Sequence, residues 1–523
     1  MVASSNAYST EAALEILQQG GNAVDAALAA TLAAMVVEPN MTALGGFGSL
    51  VFYEAQSGRS RLLTFWMQYP ENFAPDAKAG LGAFVIAPGA PRGLSEASSR
   101  HGKLPFKSIV APAVRLAREG FPVYGTLYGQ MFERYGFLTA TAEGREAWTA
   151  GGFLPTPGST FRQPVLADTL AHYGDAGPEY FYQGPFAEKL IETVSRHGGN
   201  LTLQDLADYR VIESEPLPST YRDYKIVSTW PPDSGGLGLA LGLNILQELN
   251  LREAGHYSGS VVSAYYVYST LRTVSDLTGR YVRDPEVYGV PAETLLSSDF
   301  AIHQAQRIRY EKTLAESSRP HAAKPTTTTP ELEGDSPPEL STGTVHVSVI
   351  DAEGNGCGIT SSIAGDTFGQ SGLVVDGVLI NGSGRFRPPG RQDRRWSSAA
   401  APSLILRDGS LVAVVGSPSD IYSTMLQVIV NLLDFDMDAQ QAVSAPRMYS
   451  RRSSQRESAA DYLLETRFGE GVLEGLKALN AEVDYGGTYA NLAGAARVVF
   501  RDRRTGELQG GVDPRRPGLA RGY

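Results

Sequence analysis

Cysteine is almost absent: Cys357 is the only one in 523 residues, and only seven histidines accompany it. A lone thiol forms no internal disulfide, and the scattered histidines lack zinc-ligand spacing, so no metal or organic cofactor is implied. Long apolar runs are also missing. The most apolar early stretch, Ala23 to Val37, is shorter than the roughly 20 residues a membrane-spanning helix needs. It is also interrupted by Asp25 and Thr31, so a buried helix is expected there and no membrane segment. The chain opens without a basic, apolar and small-residue leader, which makes the cytoplasm the expected location. Positive charge is in deficit: 45 basic against 56 acidic side chains give a net charge of −11, which argues against a general nucleic-acid binder.

What is present describes an ordered, turn-rich protein. With 42% hydrophobic residues, 57 glycines and 31 prolines, the chain is neither a coiled coil nor largely disordered, and its length supports a large core. Ser9 to Leu17 and Ala23 to Val37 have helical patterns separated by Gly20-Gly21-Asn22. SLVFYEA and RLLTFWM read as a hairpin turning at Ser57-Gly58, and Pro105 to Gly120 as a further helix. Glu311 to Leu340 is rich in Pro, Thr, Ser and charge, and reads as an exposed connection and a boundary. Beyond it, TVHVSVIDAEGNGCGITSSI predicts a hairpin turning at 351–355. SLILRDGSLVAVVGSP predicts a second, turning at Asp408-Gly409, before a helix in STMLQVIVNLLDF.

Thr344 stands just after the exposed connection and at the start of a strand. A threonine freed at an amino terminus carries a hydroxyl and an amine that can act as its base; inside a chain it is an ordinary polar residue. Composition leaves both readings open.

Longer segments bear on the choice. GGNAVDAALAATLAAMVVEPNMTALGGFGSLVFYEAQSG, PFKSIVAPAVRLAREGFPV, the PPDSGG stretch, TVHVSVIDAEGN and the closing GGVDPRRPGLARGY together resemble the γ-glutamyltransferase family of amino-terminal nucleophile (Ntn) hydrolases, in order and across nearly the whole chain. The resemblance implies an α+β fold, a four-layer αββα sandwich. It also implies self-cleavage before Thr344. The products would be a large fragment, 1–343, ending in a linker at about 311–343, and a small fragment, 344–523, that remain one intertwined unit.

Carried over by position, Thr344 falls on the nucleophile, Ser362 on the family's second threonine, and Ser397-Ser398 on its paired serines. Ser419-Asp420 replace the Gly-Gly pair whose backbone N–H groups stabilise the oxyanion, and the resemblance places the Asp420 carboxylate near developing negative charge. His346 shares the strand face of Thr344, and a structural role is expected for it.

The glutamate-recognition residues depart from the pattern. Trp66 occupies the arginine position, Ala364 the asparagine, and Arg385 the ammonium-binding aspartate. Loss of both charged partners argues against glutathione as substrate. Trp66, Met67 and Tyr69 would form a flatter, apolar wall, while Arg385, and Arg394-Arg395, are candidates to receive a carboxylate of a small-molecule substrate. The divergent relatives this pattern resembles serve bacterial specialised metabolism, in pathways to 4-alkylproline units. There the threonine machinery hydrolyses a carbon–carbon bond beside an activated carbonyl and releases an oxalyl fragment. The alternatives are hydrolysis or transfer of a γ-glutamyl or other acyl amide, and a catalytically silent relative. Higher oligomeric state is left open.

Overall fold

The computed structural model describes residues 1–73, 80–317, 343–364, 367–386, 393–451, 460–502 and 504–523. Before the connection the principal strands are β1 (Val2–Ser4), β2 (Phe47–Glu54), β3 (Arg59–Phe65), β4 (Ile212–Ser214), β5 (Leu217–Tyr221) and β6 (Tyr224–Ser228). After it come β7 (Val345–Ile350), β8 (Gly356–Ser362), β9 (Ser403–Arg407), β10 (Ser410–Gly416), β11 (Arg497–Arg501), β12 (Leu508–Val512) and β13 (Leu519–Arg521). They form a seven-stranded sheet in the order β13-β1-β7-β8-β2-β3-β4 and a six-stranded sheet in the order β12-β11-β10-β9-β6-β5. Each sheet contains strands from both sides of Thr344, so segments 1–343 and 344–523 share both sheets.

Apolar side chains on the facing sides of the two sheets, among them Val51, Leu62, Ile350, Leu404, Val414 and Val499, pack into a common inner core. Helices cover the outer faces. Helices α1 (Ala7–Gln18) and α2 (Ala23–Val37) pack on the first sheet, and α3 (Phe106–Glu119) packs against α2. Helix α2 is buried along its whole length, because alanines let its neighbours approach on every side, and Asn22 with Asp25 closes a capping box at its start. Helices α4 (Ser234–Leu249), α5 (Val261–Tyr281), α6 (Ser298–Ser317) and α7 (Ile421–Leu433) cover the second sheet. The result is the four-layer αββα arrangement.

All three predicted hairpins form, and Asp408 and Gly409 both adopt positive φ in the turn between β9 and β10. The exposed connection begins later than its composition suggests. Residues Glu311 to Ser317 continue α6, whose buried stripe Ala301, Gln304, Ala305, Ile308 reaches Ala315. The rest of that predicted linker, 318–342, lies outside the described residues. Among the described residues no helix is long and apolar enough to cross a membrane.

Candidate active site

Counting across the β7–β8 hairpin builds the centre of the site. Ser361 pairs with Val345, so Ser362 falls opposite Thr344 one step further. The Thr344 hydroxyl donates to Gly343 O at 2.6 Å and lies 3.2 Å from Ser362 Oγ; Ser362 Oγ donates to the same carbonyl. Ser362 Oγ in turn accepts from the backbone N–H of Ala364 at 2.9 Å, which fixes its direction. Two hydroxyls therefore converge on the carbonyl that precedes Thr344.

His346 does not join them. It is fully buried between the sheets, with Nδ1 2.8 Å from Thr360 Oγ1 and Nε2 3.0 Å from Ser348 Oγ. Ser348 spends its proton on Arg497 O, so Nε2 carries the imidazole proton and Nδ1 accepts from Thr360. Burial, with Arg497 nearby, pushes its pKa down to about 3, so it is neutral. Gly416 must be glycine here, because a Cβ would stand 2.1 Å from the ring.

After β10 the chain turns through Ser417–Asp420 into α7. Ser419 and Asp420 both adopt left-handed φ, 54° and 38°, in a conformation glycine would occupy at no steric cost. Side chains hold the turn instead. Arg516 Nη2 donates to Ser419 Oγ at 2.6 Å. Asp420 accepts from Ser450 Oγ at 2.6 Å, Ser450 N at 3.1 Å and Ser423 Oγ at 3.0 Å. This corrects the expectation that the Asp420 carboxylate faces developing charge, since it is tied down towards Ser450 and Ser423. Burial pushes its pKa up to about 6. Among the described residues nothing accepts from the backbone N–H of Ser419 or Asp420, and Pro418 lines the same cavity as Thr344.

Trp66, Met67, Tyr69 and Ala364 cluster with Phe47 and Ile86, all buried, and Phe47 pairs with Ser362 across β2 and β8. Trp396 meets Phe47 edge-on at 4.8 Å. The paired serines divide. Ser397 is half-buried and no bond involving its hydroxyl is recorded among the described residues, whereas Ser398 Oγ donates to Asp233.

The arginines behave differently from expectation. Arg385 is exposed and stacks on Phe84, 4.6 Å from the ring centre, and among the described residues it makes no hydrogen bond to the hydroxyl cluster. Arg395 is buried and engaged with Glu286 at 3.4 Å and Arg210 O at 3.2 Å, so it is a strut and not a receptor; Arg394 points to solvent.

Asp233 went unremarked within its Pro-Pro-Asp-Ser-Gly-Gly stretch. Fully buried, it accepts from Ser398 Oγ and from Ser49 Oγ at 2.6 Å, and the Trp66 indole N–H faces it without reaching hydrogen-bond geometry. Burial pushes its pKa from 3.8 up to about 6. The native state thus takes up a proton between these values, and stability falls as pH rises through the window, by about 3 kcal/mol for this group. Asp420 adds a second contribution of the same sign. Asp233→Asn is expected to lessen the fall in melting temperature between pH 4 and 6 by roughly half; an unchanged slope in a thermal-melt series would contradict the assignment.

Two facing sheets clothed by helices, with a threonine at the head of an inner strand, define the Ntn-hydrolase fold class. Within it the chain belongs to the γ-glutamyltranspeptidase family, whose model matches residues 9–523. It is 30% identical over 488 residues to the glutathione hydrolase proenzyme of Escherichia coli, covering 86% of this chain and 80% of that protein. It is 29% identical over 482 residues to the acylase ACY 1 proenzyme of Pseudomonas sp. strain SE83, covering 86% of this chain and 82% of that protein. The solved cephalosporin acylase of Bacillus halodurans superposes with a TM-score of 0.83 at 24% identity, over 100% of this chain and 96% of that one. LmbA2991HD superposes with a TM-score of 0.82 at 21% identity, over 100% and 98%. The chain is therefore an enzyme of a hydrolase and transferase family.

Proposed function

We propose that the protein cuts itself between Gly343 and Thr344 and then works as a threonine hydrolase whose acyl donor is not a γ-glutamyl group. In the precursor Thr344 Oγ1 attacks the Gly343 carbonyl, Ser362 Oγ steadies the oxygen, and the acyl group shifts from nitrogen to oxygen before water releases it. The freed amine then serves as base for the hydroxyl in turnover, and the N–H groups of Ser419 and Asp420 stabilise the oxyanion.

The observation that carries the donor assignment is the buried wall around Trp66. The arginine position holds an indole packed among Phe47, Met67, Tyr69, Ile86 and Ala364, so no guanidinium stands there for an α-carboxylate. A flat, conjugated donor suits such a wall. The reaction that fits is hydrolysis of a carbon–carbon bond beside an oxalyl carbonyl in a 4-alkylproline precursor. Thr344 Oγ1 adds to the ketone carbon. The carbon–carbon bond then breaks, its electron pair stays on the ring fragment, and that fragment takes up the hydroxyl proton. Water hydrolyses the oxalyl ester and frees oxalate. A second reading, hydrolysis of an acyl amide, is favoured by similarity to the Pseudomonas acylase proenzyme.

Side-by-side turnover separates these readings. Oxalate release from an oxalyl-bearing pyrroline is expected to exceed release from γ-glutamyl-p-nitroanilide by at least about 100-fold in kcat/KM, the scale of losing one charged contact of about 3 kcal/mol. Preference for an uncharged acyl amide would favour the second reading, and preference for the γ-glutamyl donor would overturn the donor assignment.

A further inference from the structure

Asp233 immediately precedes α4 as its N-cap, yet its side chain accepts no bond from the helix. Thr229 Oγ1 accepts from Gly236 N at 3.1 Å instead, and Ser234 N donates to Ser398 O at 2.8 Å, so the start of α4 is bonded without the carboxylate. Capping therefore does not account for an aspartate here. Ion pairing does not account for it either, because among the described residues no lysine, arginine or histidine reaches it. A buried carboxylate without a cation is costly, and a serine or asparagine could meet its two hydroxyl partners without burying a charge.

Its neighbours tie it to the apolar wall. Trp66 belongs to that wall, and its indole N–H faces Asp233. Ser49, which donates to Asp233, follows Phe47 by two residues on β2, so the two share one face about 7 Å apart. Phe47 in turn pairs with Ser362. Ser398 gives its proton to Asp233 and accepts from Ala400 N at 3.0 Å, which leaves its hydroxyl no proton for a ligand. The polar hydrogens of Trp66 and Ser398 are thus turned to the chain's own carboxylate, which strand geometry places on the order of 10 Å from the Thr344 and Ser362 hydroxyls.

From this placement we infer that Asp233 sets the charge selectivity of the donor site: its carboxylate excludes anionic groups from the wall, which takes the uncharged, flat part of a donor and turns any carboxylate away from Trp66. The inference rests on the proposed function for the wall being the donor's side. Two like charges about 10 Å apart at an effective dielectric near 20 weaken binding by roughly tenfold. Burial pushes the Asp233 pKa up to about 6, so the carboxylate is charged at pH 8 and mostly protonated at pH 5. Of the side chains that face it, Ser49 of β2, Trp66 after β3, Ser398 and Tyr422 of α7, only Tyr422 titrates. Burial raises the pKa of Tyr422 and its hydroxyl donates to Ser234 Oγ, so it stays neutral throughout this range.

Equilibrium binding to the purified full-length protein tests this without depending on turnover. The probes are trans-cinnamamide and trans-cinnamate, one flat conjugated skeleton carrying either no charge or one negative charge. At pH 8 the amide is expected to bind the wild type at least about tenfold more tightly than the acid. That ratio is expected to approach one at pH 5, and also at pH 8 in Asp233→Asn, which keeps the shape and drops the charge. Trp66→Leu is expected to weaken both probes, which locates them at the wall. A merely structural aspartate would move the two probes together and leave their ratio alone. A wild-type ratio near one at pH 8, a ratio that persists at pH 5 or in Asp233→Asn, no binding of either probe, or binding indifferent to Trp66→Leu would each overturn the inference. The pH series needs no variant and decides the matter if Asp233→Asn fails to fold. If the ratio behaves as expected while neither oxalyl nor amide donors are turned over, the charge selectivity stands and the proposed function fails.

Discussion

Thr344→Ala is expected to remain a single 56.0 kDa chain and to lose turnover by at least about 10³-fold on whichever substrate the wild type prefers. The reason is geometric. Thr344 Oγ1, the proposed nucleophile, stands 2.6 Å from the Gly343 carbonyl oxygen, to which among the described residues Ser362 Oγ also donates. Removing Oγ1 takes away the attack on Gly343, and with it the amine that would serve as base. Thr344→Ser keeps the hydroxyl and is expected to cut itself, more slowly because a freely rotating side chain replaces a β-branched one. Denaturing mass measurements over time check both variants; normal cleavage of the alanine variant would remove Thr344 from the reaction.

Ser362→Ala carries the second large effect. Its hydroxyl donates to Gly343 O, where negative charge would develop in the proposed self-cleavage, and it is aimed there by the Ala364 N–H. Loss of one such donor is worth roughly 10²-fold in rate. Self-cleavage of Ser362→Ala is therefore expected to slow by about that factor while the fold persists, because no core side chain is removed. Ser362→Thr, which preserves the donor, is expected to cleave at close to the wild-type rate. Cleavage of the alanine variant within a few-fold of wild type would show that the hydroxyl does not polarise the carbonyl.

Alternation in TVHVSVI and GCGITSSI around a five-residue turn made the β7–β8 hairpin readable from residues alone, whereas the pairing of Ser362 with Thr344 was implied by the family resemblance and the burial of His346 against Thr360 and Ser348 is seen in the fold. Trp66, Met67 and Tyr69 continue from a strand, so their gathering into a wall with Ala364 follows once Phe47 is opposite Ser362. What escaped was set by contacts distant in sequence. The Asp420 carboxylate is drawn away by Ser450, thirty positions on; Arg395 is captured by Glu286; and Asp233 is buried by the approach of Ser49 and Ser398. The helix through Ser317 was hidden because its last two turns are mostly polar and only Ala315 is buried.

Self-cleavage is the claim on which the remaining chemistry depends, and intact mass under denaturing conditions tests it most directly. The purified protein is expected to resolve into two chains, residues 1–343 and 344–523, with sequencing of the smaller one beginning at Thr344 followed by Val345 and His346. A single undivided 56.0 kDa chain, from protein that melts cooperatively, would contradict the account.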